Sequence, residues 1–374
     1  MVEIEDAGQL RRYIDQHQQV TDVVVQGVNL APFADELRSV PVHGSVFLAC
    51  GVGKDLIADL LDRGALAFPS LPDLPYLPYR PRLYTPKELM EGYVRGTPES
   101  FETKSLDGRI YAHYKSHRDR RGKVPVLEAL GQRMHDHAID DALADLLAEE
   151  AHQRVVAVMG GHAMKRSDPE FLAVARLAAT LTQRGYFLVS GGGPGAMEAT
   201  NLGAYLAQHL DALPEVVNHL SVAPGYRDDG WFESAFEILE QYPTGSASLG
   251  VPTWFYGHEP SNLFATHLAK YFSNSLREDG LIAMASHGVI YAPGSAGTLQ
   301  EVFMDAAQNH YATTGEVSPM VFLGRSFWLE KLPAYSLLRR LAGERAYAEM
   351  LTVVDDVEEV VAFLEEHPPV RTTP

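Results

Sequence analysis

From residue 154 onward the chain predicts a doubly wound, Rossmann-like parallel α/β sheet, with a smaller α+β part ahead of it. Three observations predict this. Short β-branched and aromatic runs alternate with helical stretches, the pattern of βαβ units. Two glycine-rich stretches, "SGGGPGAMEA" and "PGSAGTLQE", each fall where a strand-like run gives way to a helical one. The first 150 residues lack that alternation and contain a proline-laden tract.

In order, "RVVAVMG" (154–160) is a buried strand stopped by two glycines. A helix over 168–184, the strand "YFLVS" (186–190), a helix over about 194–209 and the strand "HLSVA" (219–223) follow. A long helix ends near Glu278; then come the strand "GVIYA" (288–292), a helix over about 298–310 and the strand "PMVFLG" (319–324). "LTVV" makes a last strand and "DDVEEVVAFLEE" an Asp-capped helix. Residues 151–374 thus form the predicted nucleotide-binding domain and 1–150 an extension. Within the extension, "TDVVVQGVNL" and "VPVHGSVFLACGV" are short β-type runs, and 137–153 is an amphipathic helix. The tract 68–86 holds six prolines, which withhold donors and α-conformations, so it is extended, a strap over a surface.

Composition narrows the partners. With 46% hydrophobic residues the chain can bury a large core, and no apolar run approaches the length of a membrane helix. The N-terminus lacks a signal peptide's apolar run, so a cytoplasmic protein without a membrane partner is expected. A formal charge of −18 argues against nucleic acid. A small anion remains compatible, because backbone N–H groups bind it whatever the net charge. Cys50 is the only cysteine, so no internal disulfide or cysteine metal site forms. "CGVGKD" is not a P-loop: Leu48 stands where its first glycine belongs and Asp55 where Ser or Thr belongs. His113 with His117, and His135 with His137, lack a carboxylate-bearing metal signature and are expected at the surface. No metal site is expected from these residues. The basic run 113–123 is read as a solvated loop, with an anionic effector or a neighbouring subunit as its other possible contact.

Both glycine stretches bring ligand to backbone. Gly192, Gly193 and Gly195 would let a phosphate or ribose approach a helix N-terminus. The dinucleotide fingerprint fails, because Ala196 occupies the last glycine place. In the second stretch, Gly294 to Thr298, through Ser295, Ala296 and Gly297, offers successive N–H groups to a phosphate. Glu301 has two readings. Thr298-Leu-Gln-Glu301 fits a capping box, in which Glu301 only closes its own helix. Alternatively its carboxylate lies one turn from the phosphate, beside the sugar's anomeric carbon, where it steadies an oxocarbenium-like transition state or activates water.

Taken together, "GGGPGAMEA" and "PGSAGTLQE" resemble the paired motifs of the LOG family, often labelled lysine decarboxylase-like, over about residues 152–366. The resemblance implies hydrolysis of the N-glycosidic bond of a nucleoside 5′-monophosphate to free base and ribose 5-phosphate, without cofactor, by a homodimer or higher homo-oligomer. It carries the family's P-G-G-x-G-T-x-x-E onto Pro293, Gly294, Ser295, Gly297, Thr298 and Glu301, with Ser295 replacing a glycine. The family's arginine falls near Arg277, one position off register; His267 and Lys270, upstream on the same expected helix, are alternative partners. Glu198 and Glu301 would flank the ribose, and Trp254 and Tyr256 either stack on the base or pack in the core. The decarboxylase label finds no support in a pyridoxal-phosphate lysine context around Lys270. The other class of reading is a non-catalytic nucleotide-binding sensor, in which the same turns hold ligand and no bond breaks.

Overall fold

A computed structural model of the chain describes residues 2–118, 122–149, 154–257 and 259–372. It divides into two compact units, Met1–Arg82 with Ser116–Ala142, and Leu83–Lys115 with Leu143–Pro374.

The first unit holds β1 (Val2–Ile4), β2 (Val23–Gln26), β3 (Val46–Leu48) and β4 (Leu66–Phe68), parallel and ordered in space as in the chain. Expected as α+β, it is a parallel α/β layer whose three- and four-residue strands are too short to announce a topology. Right-handed crossovers that always advance in one direction put every connecting helix on one face. Ile4, Val23, Val25 and Phe47 are buried in one cluster with Leu10, Ile14, Leu37 and Leu56 of those helices. The strand residues in between, Val24, Val46 and Leu48 among them, stay half-exposed on the other face. The proline tract forms no helix until Pro86 opens a short one, Pro86–Leu89, and Tyr76 and Tyr79 within it are buried. Tyr76 donates to Glu128 Oε1 (3.1 Å), and Gln26 Nε2 donates to the Tyr79 carbonyl (2.6 Å). The amphipathic helix runs over Val126–Ala148 and has ended by Glu149; the last part of its expected span, 150–153, lies outside the described residues.

The second unit holds β5 (Val155–Met159), β6 (Phe187–Ser190), β7 (Ser248–Gly250), β8 (His267–Leu268), β9 (Val289–Tyr291), β10 (Glu316–Val317), β11 (Met320–Leu323), β12 (Leu351–Val354) and β13 (Val370–Arg371). Seven of them form the expected sheet, in the order β12-β11-β9-β5-β6-β7-β8 and parallel throughout; β10 and β13 make a separate antiparallel pair. All five residues of β5 are buried, as a central parallel strand requires. From β5 the chain winds outward to β8, then returns to β9 and winds the other way to β12. The order therefore reverses between β5 and β9, and the crevice beyond their carboxyl ends is the usual ligand position in such sheets.

Two expected elements are corrected. Residues 219–223 make no strand, because 213–220 form a helix that buries Val216, Val217 and Leu220 and carries Pro214 in its first turn. The helix placed as ending near Glu278 runs instead over Asn274–Ala283, with Glu278 at its middle. Ahead of it, His267 lies in β8 and Lys270 is fully buried, 2.8 Å from Asp107 Oδ2. Neither is on the helix that carries Arg277. Trp254 donates its indole N–H to Asp107 Oδ1 (2.7 Å) and is core, not a stacking surface. His135 is likewise buried, its Nδ1 3.2 Å from Asp136 Oδ1, while His137 is exposed. Of the basic run, 119–121 lie outside the described residues. Among the described residues no helix is long and apolar enough to cross a membrane.

Candidate active site

Three neighbouring strands end in the segments singled out by sequence: β9 at Pro293-Gly294, β5 at Gly160-Gly161 and β6 at Gly191 to Gly193. The middle segment ties the outer two together. Gly161 N–H donates to the Pro293 carbonyl (3.2 Å), and the Gly161 carbonyl accepts from Ala196 N–H (3.2 Å). The two glycine bends therefore open at one end of one sheet.

They differ in access. Gly192, Gly193 and Gly195 are all buried. The carbonyls of Gly192 and Gly193 accept from Asn262 N–H (2.9 Å) and Asn262 Nδ2 (3.1 Å). Gly195 has φ +73°, and a Cβ there would stand 2.5 Å from the Gly161 carbonyl oxygen; close packing requires glycine at that point. Glu198, expected at a ribose, is 1% exposed and forms a buried pair with Arg166, whose Nε lies 3.2 and 3.1 Å from its two oxygens. The first bend is a packed joint.

The second bend is open. Ser295, Ala296 and Gly297 are exposed at the start of the helix Ala296–Tyr311. Ser295 is the N-cap residue and makes no side-chain cap bond, so N–H groups of the first turn face outward, as an anion site needs. Thr298 is buried against Gly294, where a Cβ would lie 2.1 Å from its Oγ1. Beside the bend is a cavity of about 370 Å³ lined by Gly161, His162, Met164, Asp168, Gly294 and Phe327, among others.

With Ser295 as cap, Glu301 lies more than one turn inside the helix, and the capping-box reading falls. Its carboxylate Oε1 stands 3.6 Å from Arg277 Nη1, and both side chains are nearly buried. Arg277 is held by a bond from Nε to the Val251 carbonyl (2.8 Å), beyond the end of β7. Desolvation pushes the Glu301 carboxyl up to about 7, with Glu278 adding to the rise and the Arg277 cation opposing it. Glu278, on which the ungapped register of the family's arginine falls, accepts from Tyr256 Oη (3.2 Å) and Gln300 Nε2 (2.6 Å). Asp305, one turn beyond Glu301, is buried, accepts from Tyr291 Oη (2.7 Å) and is also raised to about 7 by desolvation. A carboxylate near neutrality beside a fixed guanidinium, close to an open helix N-terminus, can exchange a proton or stabilise positive charge.

No protein-family model matches the chain, and no curated protein matches it. Among solved structures it is similar to the molybdenum cofactor binding protein from the phototrophic bacterium Rippkaea orientalis (14% identity over 57% of this chain and 95% of that one, TM-score 0.37). It is also similar to the Moco carrier protein from Chlamydomonas reinhardtii (17% identity, 57% and 95%, TM-score 0.34).

Proposed function

We propose that the large unit hydrolyses the N-glycosidic bond of a nucleoside 5′-monophosphate, releasing the base and ribose 5-phosphate. The observation that carries this reading is the Glu301–Arg277 pair, standing 3.6 Å apart next to the open bend. The phosphate sits on the N–H groups of residues 294–298, at the positive end of the helix. The sugar extends along that helix toward Glu301, whose ionised carboxylate stabilises the oxocarbenium-like transition state, draws a proton from the attacking water and gives it up to the departing base nitrogen, so that the base leaves neutral and the carboxylate is restored. Arg277 keeps Glu301 charged and oriented. Its guanidinium also offers donors to a sugar hydroxyl. The packed glycines 192, 193 and 195 hold the joint on which this geometry rests.

The test is a panel of purine and pyrimidine nucleoside monophosphates incubated with pure protein and assayed for free base. Release of base, lost in Glu301→Gln, supports the reading. Tight binding with no base released from any member overturns it in favour of the sensor. If His162→Ala in the neighbouring cavity, and not Glu301→Gln, abolishes turnover, the sugar lies on the other side of the bend and the proposed chemistry fails.

A further inference from the structure

The half-exposed face of the small sheet is unusual for a parallel sheet, which is normally covered on both sides. Two rows of paired residues cross it. Glu3, Val24 and Val46 are successive partners in one, and Gln26, Leu48 and Phe68 in the other. Above them, the helix Val126–Ala148 presents Leu130, Arg133, Met134, His137, Ala138 and Asp141. Their spacing of three and four is that of a core-facing stripe, yet three are polar where apolar residues would close the gap. Between sheet and helix lies a chamber of about 450 Å³, far larger than a packing void and within the range of small-molecule sites.

The polar groups are graded along the chamber. Arg133 and Asp141 lie eight positions apart on the helix, about 12 Å at 1.5 Å per residue. Arg133, His137 and Asp141 make no salt bridge or side-chain hydrogen bond among the described residues. One guanidinium fits a single carboxylate-like head. Asp141, with the chain's overall negative charge, repels a second anionic group. The floor of Val24, Val46 and Leu48 suits an apolar body.

We propose that this chamber binds a small apolar monoanion, an aryl or short-chain alkyl carboxylate, with its body on Val24, Val46 and Leu48 and its charge on Arg133. The site is separate from the proposed hydrolase chemistry and stands whether or not that chemistry does.

The probe is 8-anilinonaphthalene-1-sulfonate, an aromatic body with one anionic group, titrated into the full chain and followed by fluorescence. One saturable site is expected, displaced by phenylacetate and not by the neutral 2-phenylethanol. Arg133→Gln, at an exposed position, should weaken the dye about tenfold, the loss of one charge-assisted contact. Arg12→Gln, an exposed arginine elsewhere on the unit, should leave it unchanged. Val46→Trp should fill the chamber and abolish binding, with circular dichroism confirming the fold. Where that variant does not fold, Arg133→Gln and the competition arm decide. Absence of saturable dye binding, equal affinity in Arg133→Gln, or equal displacement by the alcohol overturns the proposal.

Discussion

Arg277 Nη1 lies 3.6 Å from Glu301 Oε1, and the two come from different helices that meet at the carboxyl end of one sheet. The cation is anchored by the Val251 carbonyl, so its position does not depend on the carboxylate it faces.

The proposed chemistry needs Glu301 ionised. With its carboxyl raised to about 7, base release should climb with pH and reach half its plateau near neutrality. Glu301→Gln keeps volume and loses charge, and should slow turnover by roughly 10²–10⁴-fold. Arg277→Gln removes the group that favours the charged form and should move the rising limb to higher pH. A pH–rate profile of the three proteins checks this.

The same shift makes a stability prediction. A carboxyl whose native value is raised binds its proton more tightly when folded. Its contribution is therefore full below the ordinary value of 4.5 and is lost as pH rises to about 7. At 1.36 kcal/mol per unit this amounts to roughly 3 kcal/mol at most. Glu301→Gln lacks this loss, so its stability relative to the parent should improve between pH 4.5 and pH 8. Denaturant titrations at both pH values measure the change.

Glu198 should behave as a structural residue. Arg166→Met strands its carboxylate in the core and should cost about 3–5 kcal/mol. Arg166→Met and Glu198→Gln should both lower the melting temperature. Unchanged melting with a raised KM in Glu198→Gln would return Glu198 to the ligand.

The open bend should tolerate one glycine substitution and refuse another. Around Gly297 there is nothing within 4 Å of a new Cβ, whereas at Gly294 it would meet Thr298. Gly294→Ala should cost about 1–3 kcal/mol by overpacking, and Gly297→Ala no more than about 0.5 kcal/mol. Comparison of unfolding midpoints decides.

Much of the large sheet was legible, because β5, β6, β9 and β11 are β-branched or aromatic runs bounded by glycine or proline, and β12 is the β-branched run "LTVV" just ahead of an Asp-capped helix. The strands β7 and β8 were not. "SLG" and "HL" carry no period, and they pair only because their neighbours hold them. The helix over 213–220 was misread because "HLSVA" looks apolar in any window, while its burial follows a helical spacing begun at Leu213. At the site, glycine content announced both bends and could not say which was open. That depends on Asn262, distant in sequence, donating to Gly192 and Gly193. Arg166, as partner to Glu198, is equally a product of tertiary packing.

Gly160 and Gly161 have a mechanical consequence. Their short loop grips its neighbours on both sides, so three crossover connections behave as one riveted seam and not as independent flaps. Lengthening the chain there by a single residue would spring both bends at once. This is the insertion a library screen should find depleted.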